Sequence, residues 1–137
     1  VYNLFDKPEY IHLGMDEEDL NMAKNREFVC SVALNYGGRL EIVSAAKKAA
    51  RMVEAGKIKA EDINEDLLSS LMYNPEAPDP DLIIRTAGEQ RLSNFLLWQA
   101  AYAELYFTDV LWPDLSDEDV DEAVRHFYAR QRRYGGV

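Results

Sequence analysis

Two short, nearly unbroken apolar runs, Phe28-Val29-Cys30-Ser31-Val32-Ala33-Leu34 and Leu82-Ile83-Ile84, constrain the fold more than any other feature of this chain. Neither alternates apolar with polar residues, so neither suits a strand with one face in water; both suit strands covered on two faces. Each empties into a breaker-rich loop that leads to a candidate helix. The first loop is Asn35-Tyr36-Gly37-Gly38, followed by a helical pattern with Leu40, Ile42, Val43, Ala46, Ala49, Ala50 and Val53 on the expected inward side and Gly56 as its stop. A second helix is expected from about Glu61 to Met72, closed by Pro75, Pro78 and Pro80. Strands that alternate with helices imply parallel pairing, so the expected fold class is α/β, an open and mostly parallel sheet flanked by helices.

Beyond the second strand, Arg85-Thr86-Ala87-Gly88-Glu89-Gln90-Arg91 reads as a polar loop, and Ser93 is expected to cap a helix through Phe95, Leu96, Trp98, Gln99 and Ala101. A third apolar segment surrounds Leu105-Tyr106-Phe107. Ser116 then precedes the acidic turn Asp117-Glu118-Asp119 of a last helix, whose expected inward face is Val120, Ala123, Val124, Phe127 and Tyr128. The length of 137 residues fits one domain, with residues 1–27 as a peripheral segment carrying one short helix from Asp16 to about Arg26. The chain opens on Val1 and is expected to be a piece of a longer polypeptide.

Charge narrows the partners. Fifteen basic against 25 acidic residues leave a net charge of -10, which repels a polyphosphate backbone or an anionic bilayer at long range, so nucleic acid is not an expected partner. Apolar stretches such as Phe95 to Trp98 are far shorter than the roughly 20 residues a membrane span needs, and no transmembrane segment is expected. Cys30 is the single cysteine, which removes any internal disulfide and makes a cytoplasmic location the default. His12 and His126 stand far apart without companions at metal-ligand spacing, so zinc is not expected.

In open parallel sheets, ligands collect where strand ends feed loops and helix starts. The Arg85 to Ser93 loop has the chemistry for an anion there. Arg85 and Arg91 offer permanently charged planar donors, Gly88 permits close backbone approach, and Ser93 opens the expected helix. That is a phosphate pocket in outline, although ion pairing with Glu89 and simple helix capping account equally well for the same spacing. Net acidity does not oppose a small diphosphate, because charges beyond about 8 Å are screened at physiological salt.

The segment Asp81-Leu82-Ile83-Ile84-Arg85-Thr86-Ala87-Gly88-Glu89-Gln90-Arg91-Leu92-Ser93-Asn94-Phe95-Leu96-Leu97-Trp98-Gln99, continuing through Ala101-Tyr102-Ala103-Glu104-Leu105-Tyr106-Phe107, closely resembles the C-terminal signature of the cis-prenyltransferases, typified by undecaprenyl diphosphate synthase. Ala33-Leu34-Asn35-Tyr36-Gly37-Gly38-Arg39 and Arg132-Arg133-Tyr134-Gly135-Gly136 resemble that family as well, and the likeness runs from roughly Val29 to the end. The resemblance implies part of a cis-prenyltransferase fold. It also implies condensation of isopentenyl diphosphate with an allylic diphosphate such as farnesyl diphosphate, with magnesium (Mg2+), to form Z double bonds. By the same resemblance Arg85, Arg91 and Ser93, with Leu92 beside them, would bind the diphosphate of isopentenyl diphosphate, and Glu104 would serve the magnesium. Glu104 is alternatively a structural carboxylate at a subunit contact, or one that acts from a neighbouring subunit. A homodimer through the aromatic residues between Tyr102 and Trp112 is expected. The family's Asp-Gly-Asn-x-x-Arg-Trp motif, which would hold the allylic diphosphate, is absent from these 137 residues. A non-catalytic fragment or partner subunit that binds isopentenyl diphosphate is therefore the alternative function. Position 90 is Gln where some members have His, and an amide does not titrate near neutrality, so Gln90 is assigned no catalytic role.

Overall fold

The structure is a computed structural model that describes residues 9–15, 23–24 and 28–130. They fall into two compact units, one ending at Pro78 and the other starting at Asp79.

In the first unit the run from Phe28 forms a central strand, as its double-sided apolar character requires. It is β3 (Phe28–Leu34), with β1 (Glu9–Met15) parallel on one side and β2 (Ala23–Lys24) antiparallel on the other. Glu9 pairs with Phe28 and Met15 with Leu34, a full seven-residue register. Two expectations are corrected here. Residues 9–15 belong to the sheet and are not peripheral, and Ala23 and Lys24 are strand within the stretch expected to be helical. The remaining parts of that expected helix lie outside the described residues. The physical reason is pairing: β3 carries hydrogen-bonding groups on both edges, and β1 and β2 satisfy them.

β3 leads through Asn35, held at φ 48°, into α1 (Gly38–Glu54). The helix ends in a Schellman motif. Gly56, at φ +67°, donates its N–H to Val53 O at 2.9 Å while Lys57 donates to Met52 O at 2.9 Å, which satisfies carbonyls left open by the last turn. The buried face of α1 is Gly38, Glu41, Ala45 and Ala49, not the larger apolar residues expected; Leu40 is 64% exposed and Val43 46%. Small side chains allow close packing, and the buried carboxylate among them is hydrogen-bonded. The expected second helix is shorter than its pattern suggested. A single 3-10 turn spans Ala60–Asp62, and α2 (Glu65–Ser70) follows, capped by Asn64, whose Oδ1 accepts from Leu67 N–H at 2.9 Å.

The second unit is built on β4 (Leu82–Arg85) and β5 (Glu104–Phe107), paired in parallel with Leu82 opposite Glu104 and Arg85 opposite Phe107. α3 (Asp117–Ala129) packs on β5, with the His126 ring edge-on to Tyr106 at a centroid distance of 5.4 Å. Its start follows the sequence expectation closely. Ser116 Oγ accepts from Asp119 N–H at 3.3 Å and Asp119 Oδ2 accepts from Ser116 N–H at 2.8 Å, a reciprocal capping box. Each unit pairs parallel strands and carries helices, an α/β fold, as expected.

Candidate functional site

A half-buried strand that ends in an arginine forces a decision on the guanidinium, because a charged group leaving a sheet must find water, a partner or a ligand. Arg85 is that residue. It closes β4, it is half-buried, and its Nε is fully enclosed without a hydrogen-bond partner among the described residues. The main chain beyond it is firmly placed. Thr108 N–H donates to Arg85 O at 2.9 Å, Ala87 N–H to Val110 O at 2.8 Å, and Gly88 N–H to Thr108 O at 2.9 Å. These bonds fold residues 85–88 back beside 108–110 and hold Ala87 and Gly88 in the left-handed region, at φ 63° and 68°. Glycine takes that conformation at position 88 without the strain a Cβ brings, and a Cβ there would stand 3.0 Å from Asp109 Oδ1.

Past this pinned turn, Arg91 forms an ion pair with Glu89; the two side chains are 64% and 37% exposed. Leu92 is half-buried and its carbonyl accepts from Phe95 N–H at 2.9 Å. Ser93 is exposed and does not cap a helix. Ser93, Asn94 and Leu96 all have positive φ, at 46°, 67° and 45°, and the segment is a series of turns ending in a 3-10 helix, Gln99–Tyr102. Left-handed residues interrupt the ladder a helix needs. The four consecutive apolar residues Phe95 to Trp98 bury Leu96, at 6% exposure, through the turns instead of through an amphipathic stripe. The helix-dipole contribution expected at Ser93 is therefore missing, and the loop's positive character comes from Arg85 and Arg91.

Glu104 starts β5, opposite Leu82 and so at the far end of the strand pair from Arg85. Three residue steps at about 3.3 Å put it roughly 10 Å down the sheet. Its Oε2 accepts from Arg130 Nη1 at 2.6 Å, where Arg130 follows the last turn of α3. No group of three potential ligands gathers around it among the described residues. A single carboxylate already neutralised by a guanidinium does not fit the oxygen-rich octahedral shell that Mg2+ demands.

The sequence reading missed one buried carboxylate. Glu41, at 1% exposure, accepts from the Tyr36 hydroxyl and, at 2.9 Å, from Tyr73 N–H. Tyr36 and Tyr73 also meet edge to face at 6.3 Å, and Asn74 Nδ2 donates to the buried Ser31 Oγ at 3.3 Å. The cluster fastens the Asn35 turn and residues 73–74 to α1 and β3. The i, i+4, i+8 spacing of Glu41, Ala45 and Ala49 was the available signal.

Comparison with known proteins bears on this geometry. The prenyltransferase family model for undecaprenyl diphosphate synthases matches residues 7–135. The chain belongs to the undecaprenyl diphosphate synthase family. The match takes in residues left outside the resemblance at the N-terminal end. This family member is 50% identical over 123 residues to an isoprenyl transferase of Caulobacter vibrioides, covering 90% of this chain and 48% of that one. It is 45% identical over all 137 residues to an isoprenyl transferase of Prochlorococcus marinus, covering 50% of the relative. Among solved structures, lavandulyl diphosphate synthase from Lavandula x intermedia, in complex with dimethylallyl diphosphate, superimposes with a TM-score of 0.73 at 42% identity, covering 82% of this chain and 48% of that one. The chain thus spans about half the length of the relatives it matches.

Proposed function

We propose that this chain forms the isopentenyl-diphosphate side of a cis-prenyltransferase, which condenses isopentenyl diphosphate with an allylic diphosphate such as farnesyl diphosphate to give a Z-polyprenyl diphosphate. The observation that carries the reading is Arg85. An enclosed, unpartnered guanidinium N–H at a strand end, beside a glycine turn, is costly unless an anion completes it. Arg91 supplies a second cation six residues on, Leu92 shapes the turn, and Ser93 offers an exposed hydroxyl. The solved relative in complex with dimethylallyl diphosphate supports the class of co-substrate.

In such a condensation the terminal alkene carbon of isopentenyl diphosphate bonds to the allylic carbon that carries the leaving group. The allylic carbon–oxygen bond breaks and its electron pair departs on pyrophosphate; a base then takes a proton from C2 of the isopentenyl unit, and that C–H electron pair becomes the new C2=C3 double bond. Arg85 and Arg91 act on none of these atoms. They hold the other diphosphate, so that the alkene is presented in one orientation and attack becomes effectively intramolecular. Glu104, paired with Arg130, has no companion ligands for magnesium among the described residues.

In the full-length enzyme, Arg85→Gln is expected to raise KM for isopentenyl diphosphate about 10- to 100-fold, the value of a charge-assisted hydrogen bond. The effect on kcat should be smaller, because the contact is made equally in ground and transition states. Steady-state kinetics with an unchanged KM would refute the role. The second reading, a diphosphate-binding fragment or partner subunit without turnover, is favoured by the missing Asp-Gly-Asn-x-x-Arg-Trp motif. Condensation catalysed by the 137-residue chain alone would eliminate it.

Pairing into a homodimer is part of the same proposal. Tyr102, Leu111, Trp112 and Tyr128 are 78%, 55%, 56% and 67% exposed, an apolar supply suited to an interface. A cytoplasmic location belongs to it too, and no helix among the described residues is long and apolar enough to cross a membrane.

A further inference from the structure

The two arginines of the loop are in opposite electrostatic states. Arg85 is held by burial and has an enclosed N–H without a partner among the described residues, whereas Arg91 lies mostly in water and is already neutralised by Glu89. The boundary between them is the pinned turn. Hydrogen bonds from Ala87 and Gly88 to Val110 and Thr108 fix the chain up to position 88, and Glu89 follows directly. An anion that spans Arg85 and Arg91 competes with the Glu89 carboxylate for Arg91 Nη1.

We propose that Glu89 is an internal competitor that occupies Arg91 until a diphosphate displaces it, and so weakens the hold of this loop on diphosphates while leaving its hold on monophosphates nearly unchanged. The inference rests on the reading of Arg85 to Ser93 as a diphosphate loop. Its physical basis is a comparison of strengths. An ion pair between side chains as exposed as these is worth only a few-fold in an equilibrium constant, while a bidentate guanidinium–phosphate contact is worth far more. A ligand with a second phosphate gains the Arg91 contact and overcomes the competitor. A monophosphate satisfied at Arg85 has no second phosphate for Arg91 and gains little by evicting Glu89. Removing the carboxylate therefore helps the diphosphate more than the monophosphate.

The test is isothermal titration of inorganic pyrophosphate and inorganic phosphate into the full chain. Glu89→Gln is expected to tighten pyrophosphate binding about two- to fivefold, the range of an exposed ion pair, to leave phosphate binding nearly unchanged, and so to widen the preference for pyrophosphate. The same substitution made on top of Arg91→Gln is expected to change nothing, because the competitor then has nothing to occupy. Glu89→Ala serves as the second variant and should behave like Glu89→Gln. If both Glu89 variants leave affinity unchanged or weaken it, the inference is overturned. It is equally overturned if the gain persists in the Arg91→Gln background, since that outcome reports only the removal of a negative charge. Failure of the underlying reading looks different: neither Arg85→Gln nor Arg91→Gln would weaken pyrophosphate binding.

Discussion

Replacing Glu41 by Ala and by Gln tests how the first unit is held together. The carboxylate accepts from the Tyr73 main chain and from the Tyr36 hydroxyl at a site that is 1% exposed. Alanine strands the Tyr73 N–H, which cannot reorient, and a hydrogen bond to a charged acceptor contributes about 1.5–3 kcal/mol. The Tyr36 hydroxyl sits on a half-buried ring and can turn toward water, so it adds little. The space left by the carboxyethyl arm adds about 1 kcal/mol. Alanine should therefore cost about 2–4 kcal/mol. Glutamine retains one carbonyl oxygen for Tyr73 and exchanges a charge-assisted bond for a neutral one, so about 1–2 kcal/mol is expected. Trp98 and Trp112 both lie in the second unit, so tryptophan fluorescence does not report directly on this change. Urea unfolding followed by far-ultraviolet circular dichroism, to which α1 contributes, is the suitable assay. An alanine variant within about 0.5 kcal/mol of the parent, or a glutamine variant as damaged as alanine, would show that Glu41 does not carry these contacts.

Two glycines with nearly equal left-handed angles form a matched pair. Gly56→Ala, in open space at φ +67°, should lose about 1–2 kcal/mol, whereas Gly88→Ala at φ +68° pays that same strain and must also displace Asp109. Gly88→Ala should then weaken pyrophosphate binding several-fold while Gly56→Ala leaves it unchanged; equal binding losses in titration would discount the pinned turn. Ser116→Ala removes the α3 cap and should cost about 1 kcal/mol in thermal or urea unfolding. Hydrogen bonds from the Ser116 hydroxyl and main chain hold the Asp119 carboxyl below the usual carboxylate range. Its stabilisation is accordingly full above that range and is lost as pH falls through the lowered value, so Ser116→Ala should flatten the acid limb of the stability profile. An acid limb of identical slope in the two proteins would contradict the assignment.

Local chemistry made much of the fold legible. The β3 and β4 runs are apolar without alternation and became strands, Gly56 stopped α1, and Ser116 with Asp119 three residues later wrote its own cap. Arg85 could be singled out because an arginine that ends an apolar run is conspicuous. The β1 strand was harder to see. Ile11, Leu13 and Met15 do alternate with His12 and Gly14, but the segment is short, and its partner lies across a dozen residues of polar chain.

What the sequence by itself determined was every feature whose cause is a residue's own backbone preference or its immediate neighbours: the apolar strands, the helix start at Ser116, the glycine turns and the family signature. The tertiary structure alone decided the rest. It turned the predicted helix after Ser93 into left-handed turns, rotated α1 so that Glu41 faces inward while Leu40 stays in water, and paired Glu104 with Arg130. The reason is physical: those outcomes depend on which distant groups come within hydrogen-bonding distance. A buried carboxylate or an arginine left partly open is stable or costly only once its surroundings exist.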